Sequence, residues 1–531
     1  MTEFPQEKLK LTEDGERIYQ NQEERMDRLK ASKARLLEEL SKIESAMADL
    51  VQERRELLYS ASPISSCPNE ILSMVFHQLQ RAWRADTDKD ITQIAEVTVS
   101  HVCSHWRRVA LSLPALWCGF QYSGVFYDPG QPAEERLAAY LERSGQHPFD
   151  LWIDLGKADS MDGGRISQML TAVLPHLHRF RVLQLLSNKR QCLDRFRESL
   201  ATASVPLLEA CAICPDSEKT DGEHHPPLIL PNIFQNGAPS LKYVRMDETS
   251  LFSIWPPLDT VVQLYIERRN EWSESWLPNS ILDDILSLPN LETLSLFGDL
   301  FHLQAGEGSI PEKPIIACNL RHIRSSGASI TVYLFSYASA PSLESITLSG
   351  FSNIRDGEVR EVTASSLARM SDRAGLALPS LRAVALTDAW VGFPNDLHAL
   401  QIIMRATPNV EQLTFWEGPG YTNPKDIFRT LVDRNGVSWE KVRKATLSMR
   451  FSDSDAIGNY HQFIQAKPDL EVLRVPPECL QQTAFMESVP SHMKVLAIDD
   501  SELPLPFNWL PGPGWLGIEE DPFIANCRVY T

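Results

Sequence analysis

The sequence predicts an α/β chain: a long solenoid of alternating strands and helices, preceded by a small all-α unit and a single long helix. Three observations predict it. A six-residue apolar phrase recurs about every 28 residues from position 180 to the 490s. Residues 17–59 contain neither proline nor glycine and repeat an apolar residue at every seventh position. Between the two lies a short stretch with helical apolar spacing, too small to enclose a large core of its own.

Composition excludes several alternatives. Apolar residues make up 43% of the 531 and charged residues 23%, ordinary values for a globular chain and wrong for a disordered or collagenous one. The formal charge of −19 repels phosphate backbones, so no nucleic-acid partner is expected. No apolar run approaches the roughly 18 residues of a membrane span. The charged start of the chain lacks the apolar core of a signal peptide. The nine cysteines follow no regular spacing, and no Asn-x-Ser/Thr acceptor occurs. Both facts suit reduced thiols in the cytoplasm or nucleus.

The N-terminal segment is 1–62. Leu29, Leu36, Ile43, Leu50 and Leu57 fall seven apart, with Met26, Lys33, Leu40, Met47 and Arg54 between them. This seam predicts a coiled-coil helix over 17–59 that pairs two copies of the chain; a lone amphipathic helix lying on the next domain is the alternative. Pro63 ends it.

Residues 63–120 come next. Pro68 suits a first helical turn. Ile71, Leu72, Val75, Phe76 and Leu79 follow at helical spacing, and Val99, Val102, Cys103, Trp106 and Val109 share a second helical face before Leu116 and Trp117. The order Pro-x-Glu-Ile-Leu, Phe76, Leu79, Val-Cys-x-x-Trp-Arg, Leu-Trp resembles an F-box. The layout of the whole chain is similar to a large F-box family of mushroom-forming fungi. The resemblance covers about a tenth of the chain. It implies a three-helix unit that docks on the Skp-type adaptor of a Skp–cullin–F-box ubiquitin ligase. Pro68, Ile71, Leu72, Val75 and Leu79 would meet the adaptor, and Phe76, Val102, Trp106 and Trp117 would form the core. Two features depart from the pattern: Cys67 stands where leucine is usual, and the stretch after Leu79 is longer. Apolar residues on more than one face of so small a unit point independently to a partner surface.

A linker is expected over 121–149 and a solenoid over 150–500. The repeating phrase is apolar-x-x-apolar-x-apolar, as in Phe-Arg-Val-Leu-Gln-Leu at 180–185, Leu-Glu-Thr-Leu-Ser-Leu at 291–296 and Leu-Glu-Val-Leu-Arg-Val at 470–475. Phrases such as Ala-Pro-Ser-Leu often precede it, where proline ends a helix and hands the chain to a strand. The period matches leucine-rich repeats: one strand and one helix per unit, stacked so that the strands run parallel. An open doubly wound sheet is the alternative, disfavoured by the number of copies. Asp150 to Leu155 reads as a first, atypical strand, and 501–531 as a C-terminal cap.

No phosphate loop, dinucleotide turn, nucleophile elbow or zinc-protease helix occurs. Cys211, Cys214, His224 and His225 have ligand chemistry, but Cys211 occupies a core position of the repeat and the histidines are adjacent. We therefore expect no catalytic residue, metal or cofactor. The x positions of the strands should face an open concave surface, with Phe297, Trp390 and Trp416 as partly exposed anchors for an unknown target protein, or as fillers between irregular repeats.

Overall fold

The computed structural model describes residues 12–60, 64, 67–85, 94–123, 133–154, 163–186, 190–214, 231–248, 250, 254–268, 277, 279–298, 300–301, 315–326, 338–349, 378–389, 400, 403–404, 407–417, 431–432, 439–448 and 455–498. Trp390, His224, His225 and the expected cap at 501–531 lie outside them.

Helix α1 (Glu13–Ser60) starts with Glu13, Asp14 and Glu16 in its first turn, where the helix dipole favours negative charge. Its seam residues are exposed along its length. The helix therefore does not lie on the next domain.

Three helices follow: α2 (Asn69–Ala85), α3 (Ala95–Val102) and α4 (Ser104–Leu111). The Pro68 carbonyl accepts from the amides of Ile71 (3.0 Å) and Leu72 (3.1 Å), so proline opens α2 where its missing donor costs nothing. Cys103 is extended (φ −157°, ψ 171°) and breaks the second helical stretch in two. Its thiol takes the amide of Trp106 at 3.4 Å and starts α4. A single turn, Pro114–Trp117, then leads into the sheet.

The sheet has fourteen strands among the described residues. They are β1 (Gly119–Ser123), β2 (Phe149–Asp154), β3 (Phe180–Leu186), β4 (Ala210–Cys214), β5 (Tyr243–Asp247), β6 (Gln263–Glu267) and β7 (Thr293–Phe297). Then come β8 (His322–Ser326), β9 (Ser345–Ser349), β10 (Ala383–Ala389), β11 (Gln412–Glu417), β12 (Lys444–Ser448), β13 (Val472–Val475) and β14 (Lys494–Ala497). Each strand of this sheet is parallel to, and hydrogen-bonded with, the strands that precede and follow it in the sheet's chain order, while the two-residue strands Ile315–Ile316 and Ala338–Ser339 pair separately with each other. A doubly wound sheet must reverse its strand order at some point; this one never does. It is a solenoid of leucine-rich-repeat type, with a long helix and a short helical unit in front.

The array starts earlier than the sequence suggests. Residues 119–123 pair with β2, and α5 (Ala133–Arg143) crosses between them, so much of the expected linker is the first repeat. Gly-Phe-Gln-Tyr-Ser does not carry the repeating phrase, which is why it reads as linker.

The phrase explains the packing. Its fourth residues are in register from strand to strand, from Leu183, Cys211, Val244, Leu264, Leu294 and Ile323 on to Leu473; at β14 the register moves by one, and Leu473 pairs with Val495. Together with the sixth residues they point to one face and form a core continuous with the helical unit. Cys211 is one of these core residues, and burial pushes its thiol up to about 12, away from the thiolate a metal or an oxidant needs.

The second residue of the phrase shows a pattern not read from the sequence. Glu292, Arg321, Glu344, Arg382, Glu411, Arg443 and Glu471 follow one another at the strand starts, each amide bonded to the carbonyl of the previous one. Acid and base alternate, and neighbours pair: Arg321 with Glu344 at 2.5 Å, Arg382 with Glu411 at 3.5 Å, Arg443 with Glu471 at 3.8 Å. Exposed pairs of this kind contribute at most about 1 kcal/mol each. Their consequence is register, because skipping one repeat would set like charges side by side.

One buried cation predicts a pH effect. Lys467 follows α6 (Asp455–Ala466) and is 3% exposed, with Nζ donating to the Trp439 carbonyl at 3.0 Å. Burial lowers its ammonium to about 8. Below that pH the group is charged folded and unfolded, and the fold carries the desolvation cost. Between about 8 and the ordinary 10.5 the folded chain releases the proton and the unfolded chain keeps it, so stability rises with pH. Urea midpoints should show wild type gaining on Lys467→Met between pH 7 and pH 10. An unchanged difference would refute this assignment.

Candidate functional site

Helix α2 has two faces one residue out of phase. Leu72, Phe76 and Gln80, four apart, are buried. Phe76 packs on Trp106 with ring centres 5.0 Å apart. Gln80 donates to the Leu116 carbonyl at 2.8 Å. Ile71, Val75 and Leu79, also four apart, lie about 100° around the helix and are 44–47% exposed. Pro68 extends this stripe toward the N-terminus and is exposed as well. Met74, which sequence reading passed over, is the most exposed large apolar residue described in α2, at 63%.

Two expected positions change sides. Leu72 is 1% exposed and belongs to the core, because the helical phase puts it next to Phe76 rather than beside Ile71. Val102 is 57% exposed and is not a core residue. The break at Cys103 resets the helical phase, so Val102 and Trp106 do not share a face. Trp106 is half-buried and Trp117 fully so, its indole N–H donating to the Ala110 carbonyl at 2.8 Å. Cys67 is half-buried against the same core.

The helical unit is fastened to the first repeat. Glu96 of α3, 4% exposed, accepts from the Tyr140 hydroxyl of α5 at 2.8 Å and from Gln80 at 3.2 Å. The Trp117 and Tyr140 rings meet edge to face at 5.2 Å, and Arg143 lies 4.5 Å above Trp117. Buried hydrogen bonds to a carboxylate hold such a joint stiffly. The apolar stripe on α2 and the array therefore keep a fixed relative orientation.

The other sheet face, expected to be open, is largely closed along its middle. The fifth phrase residues Arg245, Tyr265, Ser295, Arg324 and Thr347 form one row in register, and each is at most 5% exposed. Arg245 forks onto both oxygens of Glu267 at 2.9 Å. Arg324 donates Nε to the Ser295 hydroxyl at 2.9 Å. Burial, then the Glu267 carboxylate, pushes the Tyr265 phenol well above its ordinary range. These groups neutralise and tie adjacent strands. Trp416 sits on this face at 2% exposure, enclosed rather than offered to solvent, so the partly exposed anchor expected there is not found. Phe297 is half-buried at the end of β7.

No protein-family model matches the chain, and no curated protein matches it. Among solved structures it is similar to the leucine-rich repeat-containing protein LegL7 from Legionella pneumophila, with 10% identity and a TM-score of 0.35 over 70% of this chain and 96% of that one. It is similar also to the Rad7 and Elc1 complex in yeast, with 11% identity and a TM-score of 0.30 over 85% of this chain and 96% of that one. The repeat architecture itself rests on the unbroken strand order described above.

Proposed function

We propose that the chain is a substrate receptor of a Skp–cullin–F-box ubiquitin ligase. The helical unit binds the Skp-type adaptor, and through it the cullin ligase; the repeat array holds a target protein. The observation that carries the reading is the exposed stripe Pro68, Ile71, Val75 and Leu79 on a unit fastened to the array. It gives physical form to the F-box resemblance of residues 63–120. An apolar stripe on an otherwise filled helix is what an adaptor groove takes up. The receptor does no bond chemistry. It contributes proximity, since a target on a stiff array is held at a set distance from the transferring enzyme.

Charge says something about the target. The N-terminal segment carries −3, the helical unit 0, and the remainder, with 35 basic against 51 acidic residues, −16. A target with basic surface is therefore favoured. Phe297 is the described candidate for an aromatic contact.

The test is a mixture of the full chain with a Skp-type adaptor on a sizing column. A stoichiometric complex at micromolar concentration is expected. Absence of a complex would leave an interaction scaffold without ligase function as the better reading.

A further inference from the structure

We propose that α1 pairs with α1 of a second copy in antiparallel orientation, centred near Glu38, so that the dimer carries its two helical units at opposite ends. The inference goes beyond the docking reading and does not depend on it.

The seam is there and it is exposed. Between Tyr19 and Leu57 its apolar residues are 50–70% exposed. A stripe of that length on a 48-residue helix is a partner surface rather than a scattering of surface leucines. The seam is self-complementary in one direction only, which identifies the occupant as another copy of the chain.

Consider two copies in parallel and in register. Lys33 then faces Lys33 of the other copy, and Arg54 faces Arg54, inside the apolar seam. On the flanks, Arg25 meets Lys30 and Glu39 meets Glu44, each twice by symmetry. All of these pairs are repulsive.

Reversing one helix about a dyad at Glu38 changes every one of these contacts. Lys33 now lies against Ile43 of the second copy, with its stem on apolar surface and its ammonium free to reach the edge. Arg54 falls opposite Gln22, a polar partner. The apolar layers stay filled, with Met26 against Leu50 and Leu29 against Met47. On one flank Arg25 meets Glu53, and on the other Lys30 meets Glu44, each twice. At the dyad Glu39 meets its own copy once on one flank, the one repulsive contact among these pairs, and Leu37 meets its own copy on the other. The register also overlaps nearly the whole helix.

The geometry has a consequence for assembly. At about 1.5 Å per residue, the two Ser60 ends stand about 66 Å apart, where a parallel pair would set them side by side. Each α2 stripe then faces its own solvent, and two adaptors can bind without collision.

The experiment uses the full chain. Light scattering at micromolar concentration should give a dimer. Under mild oxidation, Lys33→Cys chains alone should form no 33–33 bridge. Mixed with Ile43→Cys chains, they should form a 33–43 bridge, located by peptide mapping. Glu44→Lys should weaken dimerisation about tenfold, as two attractive pairs become repulsive; in a parallel pair the same change would relieve repulsion and tighten it. A monomer, a 33–33 bridge, or a tighter Glu44→Lys dimer would each overturn the proposal.

Discussion

Ile71→Asp combined with Val75→Asp is expected to abolish co-purification with a Skp-type adaptor while leaving the array folded. Both side chains are nearly half exposed, so the substitutions add charge to a surface that water already reaches. In the free chain the cost is within about 0.5 kcal/mol for each site. In the complex the same two carboxylates would be forced into an apolar groove with no partner. That penalty is several kcal/mol, a loss of affinity of about 100-fold or more. Leu72→Ala supplies the contrast. Leu72 is buried one position away, so its truncation should cost about 2–4 kcal/mol of local stability and reach the adaptor only through loosened packing. Hydrogen exchange separates the two: protection in α2 falls for Leu72→Ala and holds for the double aspartate variant. If the double variant still binds at wild-type strength, the α2 stripe is not the adaptor face.

The contrast between Leu72 and Ile71 also shows where the sequence is legible. Helical period puts Ile71, Leu72, Val75, Phe76 and Leu79 on one broad apolar face, and the F-box resemblance places Phe76 inside and Val75 outside, but the boundary between the two is only a residue wide, and Leu72 falls on it. The repeat array was readable because its signal recurs: one phrase about every 28 residues, its fourth residue apolar in every copy and its sixth in every copy but that at 320–325, which ends in Ser325, favours stacked parallel strands. The same reasoning fails for β1, whose neighbour on one side is the helical unit, so it has no need of the phrase. It fails again at Val102, because nothing in the sequence announces that Cys103 will be extended. The closure of the second sheet face was invisible for another reason. Arg245, Tyr265 and Arg324 occupy positions that alternation assigns to solvent, and only their mutual registry brings Glu267 and Ser295 within reach. The alternation of acid and base at the strand starts was in plain view, as Leu-Glu, Leu-Arg, Leu-Glu, Leu-Arg along successive phrases. Its meaning needed the knowledge that those residues are spatial neighbours.

The second large effect is expected at Arg179, where the first repeats are locked together. Its guanidinium is 1% exposed and donates to the Ser144 hydroxyl at 2.9 Å, the His147 carbonyl at 3.0 Å and the Leu141 carbonyl at 2.8 Å. These acceptors belong to the last turn of α5 and the loop after it, the negative end of that helix's dipole. The cation also lies 5.2 Å from the centre of the Phe149 ring, which stacks on Phe180 at 5.4 Å. Arg179→Met keeps apolar bulk but removes all three bonds and leaves the buried Leu141 carbonyl with only the Ser144 hydroxyl at 3.2 Å, a loss of about 2–4 kcal/mol. Arg179→Lys keeps the charge but cannot span three acceptors, and should recover only part of it. The damage should travel in a definite direction. Tyr140, which holds Glu96 and so the helical unit, sits one residue before Leu141. Amides of α5 and then of α3 should therefore lose exchange protection in Arg179→Met, while those around β12 keep theirs. Adaptor affinity should stay unchanged, since the α2 stripe is intact, but target transfer should slow as the joint between docking unit and array loosens. Unchanged protection in α3 would mean that the joint is held by the aromatic contacts of Trp117 and not through the end of α5.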